Sequence, residues 1–324
     1  HTDKGCRMFC VNAADGKLAW PKPFQTTSHT EGGPAVLGDK VFFPAGDDGL
    51  IAAKADTGEE LWRFKGGKEA AIHIDAAPAV SGNRVFVGSG LYSYVAVCLD
   101  ANDKGKELWR ADLKLRAFGA PIVRGKFVYY GVGTGNMGAD TWEYPEEDRK
   151  EPERTPAGAV VCLETETGKE VWRYDLPRSV HTGLAADAFT VYASCRDGNV
   201  YAIDRKTGKL RWYRGAGGPT ITSPPAVATQ FGAPIAVYAV SSDGNLVCLN
   251  PHSGAEIWQK RLPGYHYFPL EHNDVISGPV VVTDAPSQST SRRVIYVGAM
   301  VVDRDNFAKK SCAVFRFEDV MGEE

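Results

Sequence analysis

What the chain lacks narrows it quickly. It contains no Cys-x-x-Cys pair and no cysteine–histidine spacing of the zinc-binding kind. Its seven cysteines are an odd number, which argues against a complete disulfide framework. No apolar run approaches the roughly 18 residues of a membrane span, so no transmembrane segment is expected. The formal net charge of -3 leaves no electrostatic footprint for nucleic acid. No serine sits in a nucleophile elbow. No signal peptide is visible, and residue 1 lies just before a repeat, so the N-terminus is expected to be processed or trimmed.

What is present is one phrase written six times. A glycine precedes a tryptophan by four places at Gly16/Trp20, Gly58/Trp62, Gly105/Trp109, Gly168/Trp172, Gly208/Trp212 and Gly254/Trp258. Each glycine closes a short polar run that follows an apolar stretch such as Val160-Val161-Cys162-Leu163. The chemistry is strand, tight turn, strand: the apolar run is buried, glycine supplies a positive φ, and tryptophan anchors the returning strand. Cys10, Cys162 and Cys248 stand six residues before the repeat glycine, and Cys98 stands seven before Gly105, where the turn is one residue longer. Ala52 and Ala202 fill the same slot, so the slot wants a small buried apolar group and these thiols belong to the core. Cys6, Cys195 and Cys312 fall outside it.

Between successive tryptophans the sequence reads as four short strands. After Trp20 these are 33–37, 41–45, 50–53 and 61–64, with Asp48-Gly49 closing the second. Asp197-Gly198 and Asp243-Gly244 repeat that turn. Four antiparallel strands every 40 to 47 residues, without helical periodicity between them, are the pattern of a propeller blade. The expected fold is therefore all-β, a β-propeller of four-stranded antiparallel blades in a single domain spanning residues 1–324. Residues 136–158 are rich in proline and charge and form an inserted loop. At its entry Gly133, Gly135 and Gly138 match a dinucleotide spacing, but no helix follows, and that reading is rejected. Five whole blades are expected between Thr30 and Lys260, with two strands before them and three after. Pairing the partial ends would give six blades with a surplus strand, keeping them separate gives seven, the favoured count, and eight is the remaining alternative.

The Ala/Cys-x-Asp-x-x-Thr-Gly-Lys-x-x-Trp pattern is carried by Ala202-Ile203-Asp204-Arg205-Lys206-Thr207-Gly208-Lys209-Leu210-Arg211-Trp212. It resembles the repeat of the pyrroloquinoline-quinone (PQQ) type propellers, the superfamily of quinoprotein alcohol and glucose dehydrogenases and the outer-membrane assembly lipoproteins. The resemblance implies the fold; the motif is structural and shared by enzymes and scaffolds. For the enzymes it also implies a quinone stacked on a tryptophan, a calcium ion held by carboxylates and amides, and often a disulfide between adjacent cysteines. This sequence has no Cys-Cys pair, and its one tryptophan outside the repeat slot is Trp142, in the insertion.

A second pattern lies just ahead of the first strands. His29 is five before Pro34, His73 five before Pro78, and His181 five before Ala186. Arg116, Thr220 and Asp274 occupy the slot in other repeats, with His272 close by. First strands line the central channel of a propeller, so these residues are expected to form a polar ring at one mouth. Three readings of the ring stand: a hydrated channel lining, a site for an anion or small polar ligand, and a metal site. The aromatic run 265–270 either packs over the channel mouth or offers a partner patch. The functional expectation is a non-catalytic, extracytoplasmic (periplasmic) binding or scaffold propeller with a protein partner or small polar ligand and no assigned cofactor. The alternative is a PQQ- and calcium-dependent alcohol or sugar oxidoreductase, or its degenerate relative.

Overall fold

The second and third strands of each repeat are almost unbroken runs of apolar residues, such as Val41-Phe42-Phe43 and Leu50-Ile51-Ala52-Ala53, and both of their faces are buried. That requires a covering sheet on either side, as stacked blades provide. The computed structural model describes residues 5–29, 32–66, 72–91, 93–135, 155–218, 223–263, 280–283, 292–302 and 310–320. The aromatic run, Trp142 and most of the insertion lie outside them.

Five four-stranded antiparallel sheets follow in chain order, each with its strands in sequence order. The first is Ala35–Leu37, Lys40–Pro44, Leu50–Lys54 and Glu60–Phe64. The second is Ala79–Ser81, Arg84–Gly88, Val95–Asp100 and Glu107–Asp112. The third is Ile122–Arg124, Phe127–Gly133, Gly158–Glu164 and Glu170–Leu176, so the strand after the insertion begins on Gly158 itself. The fourth is Ala185–Ala186, Thr190–Ser194, Asn199–Asp204 and Leu210–Gly215. The fifth is Ala226–Gln230, Ala233–Val240, Asn245–Leu249 and Glu256–Arg261. Before them Arg7–Met8 pairs with Phe24–Gln25, and the hairpin continues through a Val11–Leu18 bridge. After them come three strands, Val280–Thr283, Arg292–Val302 and Lys310–Val320. The strands group into two compact units, one of His1–Asn136 with Val160–Arg173 and one of Met137–Ala159 with Tyr174–Glu324.

Each sheet is built around one cross-strand row. In the first sheet Ala35, Phe42, Ala52 and Trp62 lie opposite one another in register across the four strands. The second repeats this as Ala79, Phe86, Cys98 and Trp109, the fourth as Ala185, Tyr192, Ala202 and Trp212, and the fifth as Ala226, Tyr238, Cys248 and Trp258. The small third-strand residue lets the aromatic ring and the indole meet above it, with centroids 5.7 to 6.0 Å apart and planes tilted by 45 to 47°. This is why alanine and cysteine share the slot. Cys98, Cys162 and Cys248 are fully buried, and burial pushes the Cys98 thiol up to about 12. Cys6, Cys10, Cys98, Cys162, Cys195 and Cys248 form no disulfide.

A bulge delivers the tryptophan to that row. The ladder slips by one residue next to Trp62, Trp109, Trp212 and Trp258. A regular pleat would put Trp62 on the face of Glu60; the extra residue re-aims it and turns Leu61 outward.

The indole then reaches the next repeat. A Cβ added to Gly58 would lie 2.6 Å from the Trp20 ring, and the same collision meets Gly105 with Trp62, Gly168 with Trp109 and Gly254 with Trp212. The repeat glycine therefore does two jobs: it turns the chain at φ near +70°, and it leaves a bare backbone on which the preceding indole lies. Trp20, Trp109 and Trp212 also donate Nε1–H to the carbonyls of Ala55, Thr165 and Pro251, each three residues before the glycine, at 2.9 Å. At Trp62 the following turn is one residue longer, and its Nε1 is buried without a hydrogen-bond partner. Of the six repeat tryptophans, these three are buried and Trp62, Trp172 and Trp258 are half-buried.

Two predictions follow from the joint. Gly82 has a positive φ but open space around it, whereas Gly168 has the same φ sign and Trp109 above it. Gly82→Ala should cost about 1 kcal/mol of left-handed strain, and Gly168→Ala a further 1–3 kcal/mol or so of overpacking. In a Trp109→Ala background, itself about 3–5 kcal/mol less stable, that excess should vanish; additive costs in a denaturant-melt double-mutant cycle would refute the stacking. Trp109→Phe should likewise lose roughly 1 kcal/mol more than Trp62→Phe, because only the former gives up a hydrogen bond.

Candidate functional site

Two of the slot residues ahead of the first strands meet. The His29 and His73 rings lie 5.3 Å apart, centroid to centroid, in successive repeats. Two close approaches make this possible. A side chain on Gly46 would strike Ser28 Oγ and the His29 carbonyl, and one on Gly32 would strike the backbone of residues 75–77. Gly46 and Ile74 exchange both backbone hydrogen bonds, at 3.0 and 3.1 Å, while His73 itself bridges to Leu91 in its own sheet. Ser89 Oγ donates to the His73 carbonyl at 3.0 Å. The segment carrying His73 is thus stitched to the sheet before it and to the sheet it enters.

Two carboxylates complete the cluster. His73 is buried, with Nδ1 2.6 Å from Asp47 Oδ1 and Nε2 2.8 Å from Asp75 Oδ2. Burial alone would depress its pKa, but the hydrogen bonds and negative charge of Asp75 and Asp47 outweigh it and raise the imidazole to about 9. His73 is therefore an imidazolium at neutral pH. Asp75 is itself buried, and its Oδ1 accepts no hydrogen bond; it faces His29 Nε2 at 3.7 Å. The sequence reading missed both aspartates. The His73-Ile74-Asp75 spacing, which places two donors on one face of an extended chain, was the available signal for Asp75.

The neighbouring Asp48 serves the scaffold. It is buried, accepts from the Thr27 amide and hydroxyl at 2.7 and 2.6 Å, and pairs with Arg63 at 2.8 Å and Lys65 at 3.0 Å. Burial works against its charge, but Thr27, Lys65 and Arg63 more than compensate and hold its pKa well below the usual carboxylate range.

The other slot residues are placed one by one. Arg116 bridges to Gly133 as His73 does to Leu91, and its half-buried guanidinium lies 5.8 Å from the centre of the Tyr94 ring. His181 is buried in the second unit. Thr220, His272 and Asp274 lie outside the described residues.

Repeated four-stranded sheets joined indole to glycine define an all-β propeller of the PQQ-like repeat class. The chain belongs to the family described as "Outer membrane protein assembly factor BamB", which matches over residues 2–91, 55–141 and 153–304. It is 27% identical over 239 residues to the outer membrane protein assembly factor BamB of Burkholderia pseudomallei (strain K96243), covering 70% of this chain and 54% of that one. It is also 28% identical over 148 residues to the quinoprotein ethanol dehydrogenase of Pseudomonas putida, covering 40% of this chain and 23% of the enzyme. The solved structure of BamB from Moraxella catarrhalis matches with a TM-score of 0.61 at 19% identity, over 97% of this chain and 83% of that one, a likeness of fold. The chain thus spans about half the length of the first curated relative and under a quarter of the second.

A quinone would need a free indole face. Among the described residues all six tryptophans have their rings engaged, on a repeat glycine, against the second-strand aromatic, or both. The described residues do not fit the group.

The prediction for this region concerns acid. Because the folded pKa of Asp48 is depressed, its contribution is present above the unfolded value near 3.8 and is lost as pH falls below it. Asp48→Asn should lower the melting temperature at pH 7 by several degrees, roughly 2–4 °C per kcal/mol, and flatten its fall between about pH 4 and 2. Parallel melting curves for the two proteins across that range would show that the carboxylate carries no such linkage.

Proposed function

We propose that the chain is a non-catalytic binding and scaffold propeller of an extracytoplasmic compartment, seven-bladed, acting through a protein partner or a small polar ligand at the channel mouth. The observation that carries this reading is the family match over residues 2–91, 55–141 and 153–304, whose description is that of an assembly factor. The chemistry of the fold supports it. Trp20, Trp62, Trp109 and Trp212 and the glycines on which they lie are committed to joining repeats, which favours the rim ahead of the first strands as the place for recognition. His29, His73, Arg116, His181, Thr220, His272 and Asp274 are the residues proposed to line that rim. At His73 the flanking Asp47 and Asp75 make the local field negative, so this sector suits a cation or a basic partner group. No helix of the described residues is long and apolar enough to cross a membrane.

The second reading, a PQQ-dependent alcohol or sugar oxidoreductase or its degenerate relative, is kept alive by the likeness to the quinoprotein ethanol dehydrogenase. One experiment separates the two. A ligand that binds only the native state, present at about 100 times its Kd, stabilises by about 2.7 kcal/mol, a readily seen thermal shift. On the scaffold reading, PQQ with calcium should produce neither that shift nor dye-linked oxidation of alcohols or sugars. A shift accompanied by turnover would replace the scaffold reading with the enzyme.

A further inference from the structure

We propose that His29, His73 and Asp75 form a binding site for a divalent transition-metal ion of the zinc class, with a fourth position open to solvent. One atom from each residue lies within 4.8 Å of the other two. His73 Nε2 is 2.8 Å from Asp75 Oδ2, and His29 Nε2 is 3.7 Å from Asp75 Oδ1. Ligands about 2.0–2.1 Å from a tetrahedral zinc ion are separated from one another by roughly 3.3–3.5 Å. The two spacings, each to a different Asp75 oxygen, lie on either side of that value, and the 4.8 Å bound on the whole set leaves roughly 1 Å to 1.5 Å of closure to seat an ion.

Three further features mark the cluster as a built site. Asp75 is 7% exposed, and its Oδ1, buried and accepting no hydrogen bond, lies 3.7 Å from His29 Nε2 while Oδ2 lies against His73. A buried carboxylate oxygen in that state is costly unless a cation meets it. Asp47 holds His73 Nδ1 at 2.6 Å, which is how a carboxylate commonly fixes a metal-binding imidazole with its Nε2 turned to the ion. Gly32 and Gly46 allow the backbones carrying the two histidines to approach. His29 is 44% exposed, so the site opens on its side and a water molecule or a partner's side chain can take the remaining position. On binding, the ion takes the place of the proton on His73 Nε2, which passes to solvent. Two imidazoles and a carboxylate select zinc, cobalt or nickel over calcium and magnesium, which prefer all-oxygen shells.

The test uses the full chain, stripped with a chelator, in a Cys6→Ser/Cys10→Ser background that removes two half-buried thiols. Titration calorimetry with zinc chloride should give about one ion per chain, and cobalt(II) should show the visible absorption of a low-coordinate site. Calcium and magnesium should give no heat. His29→Ala, at an exposed position, should keep the melting temperature of the metal-free protein and weaken zinc binding at least about tenfold; Asp47→Asn should weaken it by about 10- to 100-fold. Asp75→Asn should abolish binding, and if that variant misfolds the His29 and Asp47 variants still decide. No saturable binding at 100 µM zinc (about a −5 kcal/mol threshold), or unchanged affinity in His29→Ala, would overturn the site.

Discussion

An indole lying on a glycine that has no Cβ is the contact on which the rest of the structure depends. It joins one repeat to the next, and each part of the repeat is shaped to make it possible. The glycine must turn the chain and stay bare. The bulge before the tryptophan must rotate the ring onto the core face. The third-strand residue must be small, so that the second-strand aromatic can brace the ring from within its own sheet. None of these requirements concerns a ligand. This is why so regular a sequence says so much about architecture and so little about activity.

The repeat period, the four strands and the small-residue slot were legible because each is a local demand that recurs: a positive φ at Gly168, an apolar run at 160–163, a core position that accepts Ala202 or Cys248. The partner of the joint was not legible. Nothing in Gly58-Glu59-Glu60-Leu61-Trp62 reveals that Gly58 receives Trp20 while Trp62 travels on to Gly105. The bulge was hidden too, since glycine-to-tryptophan spacing is the same whether or not the ladder slips. At the site, the two histidines that share an offset from proline in neighbouring repeats have their rings 5.3 Å apart. Counting back from proline missed Asp47, which comes from the turn after the second strand of the first sheet, and Asp75, two residues beyond His73 in the same segment.

The aspartates alter the character of that corner. Two histidines alone would favour an anion once protonated; two histidines between buried or short-bonded carboxylates favour positive charge. Asp48, one residue along, turns away from this cluster to hold Thr27, Arg63 and Lys65. Adjacent carboxylates on one turn thus serve separate purposes, one bonded to His73 and one fastening the N-terminal hairpin to the first sheet.

The small-residue slot also has a diagnostic side. Cys98, Cys162 and Cys248 sit at the same depth in the second, third and fifth sheets, each sealed from solvent and without a disulfide. A thiol-modifying reagent can reach one of them only when its own sheet has come apart. The chain therefore carries natural reporters of its breathing, distributed along the array. Their relative rates of modification would rank which blade opens first without any label having been engineered into it.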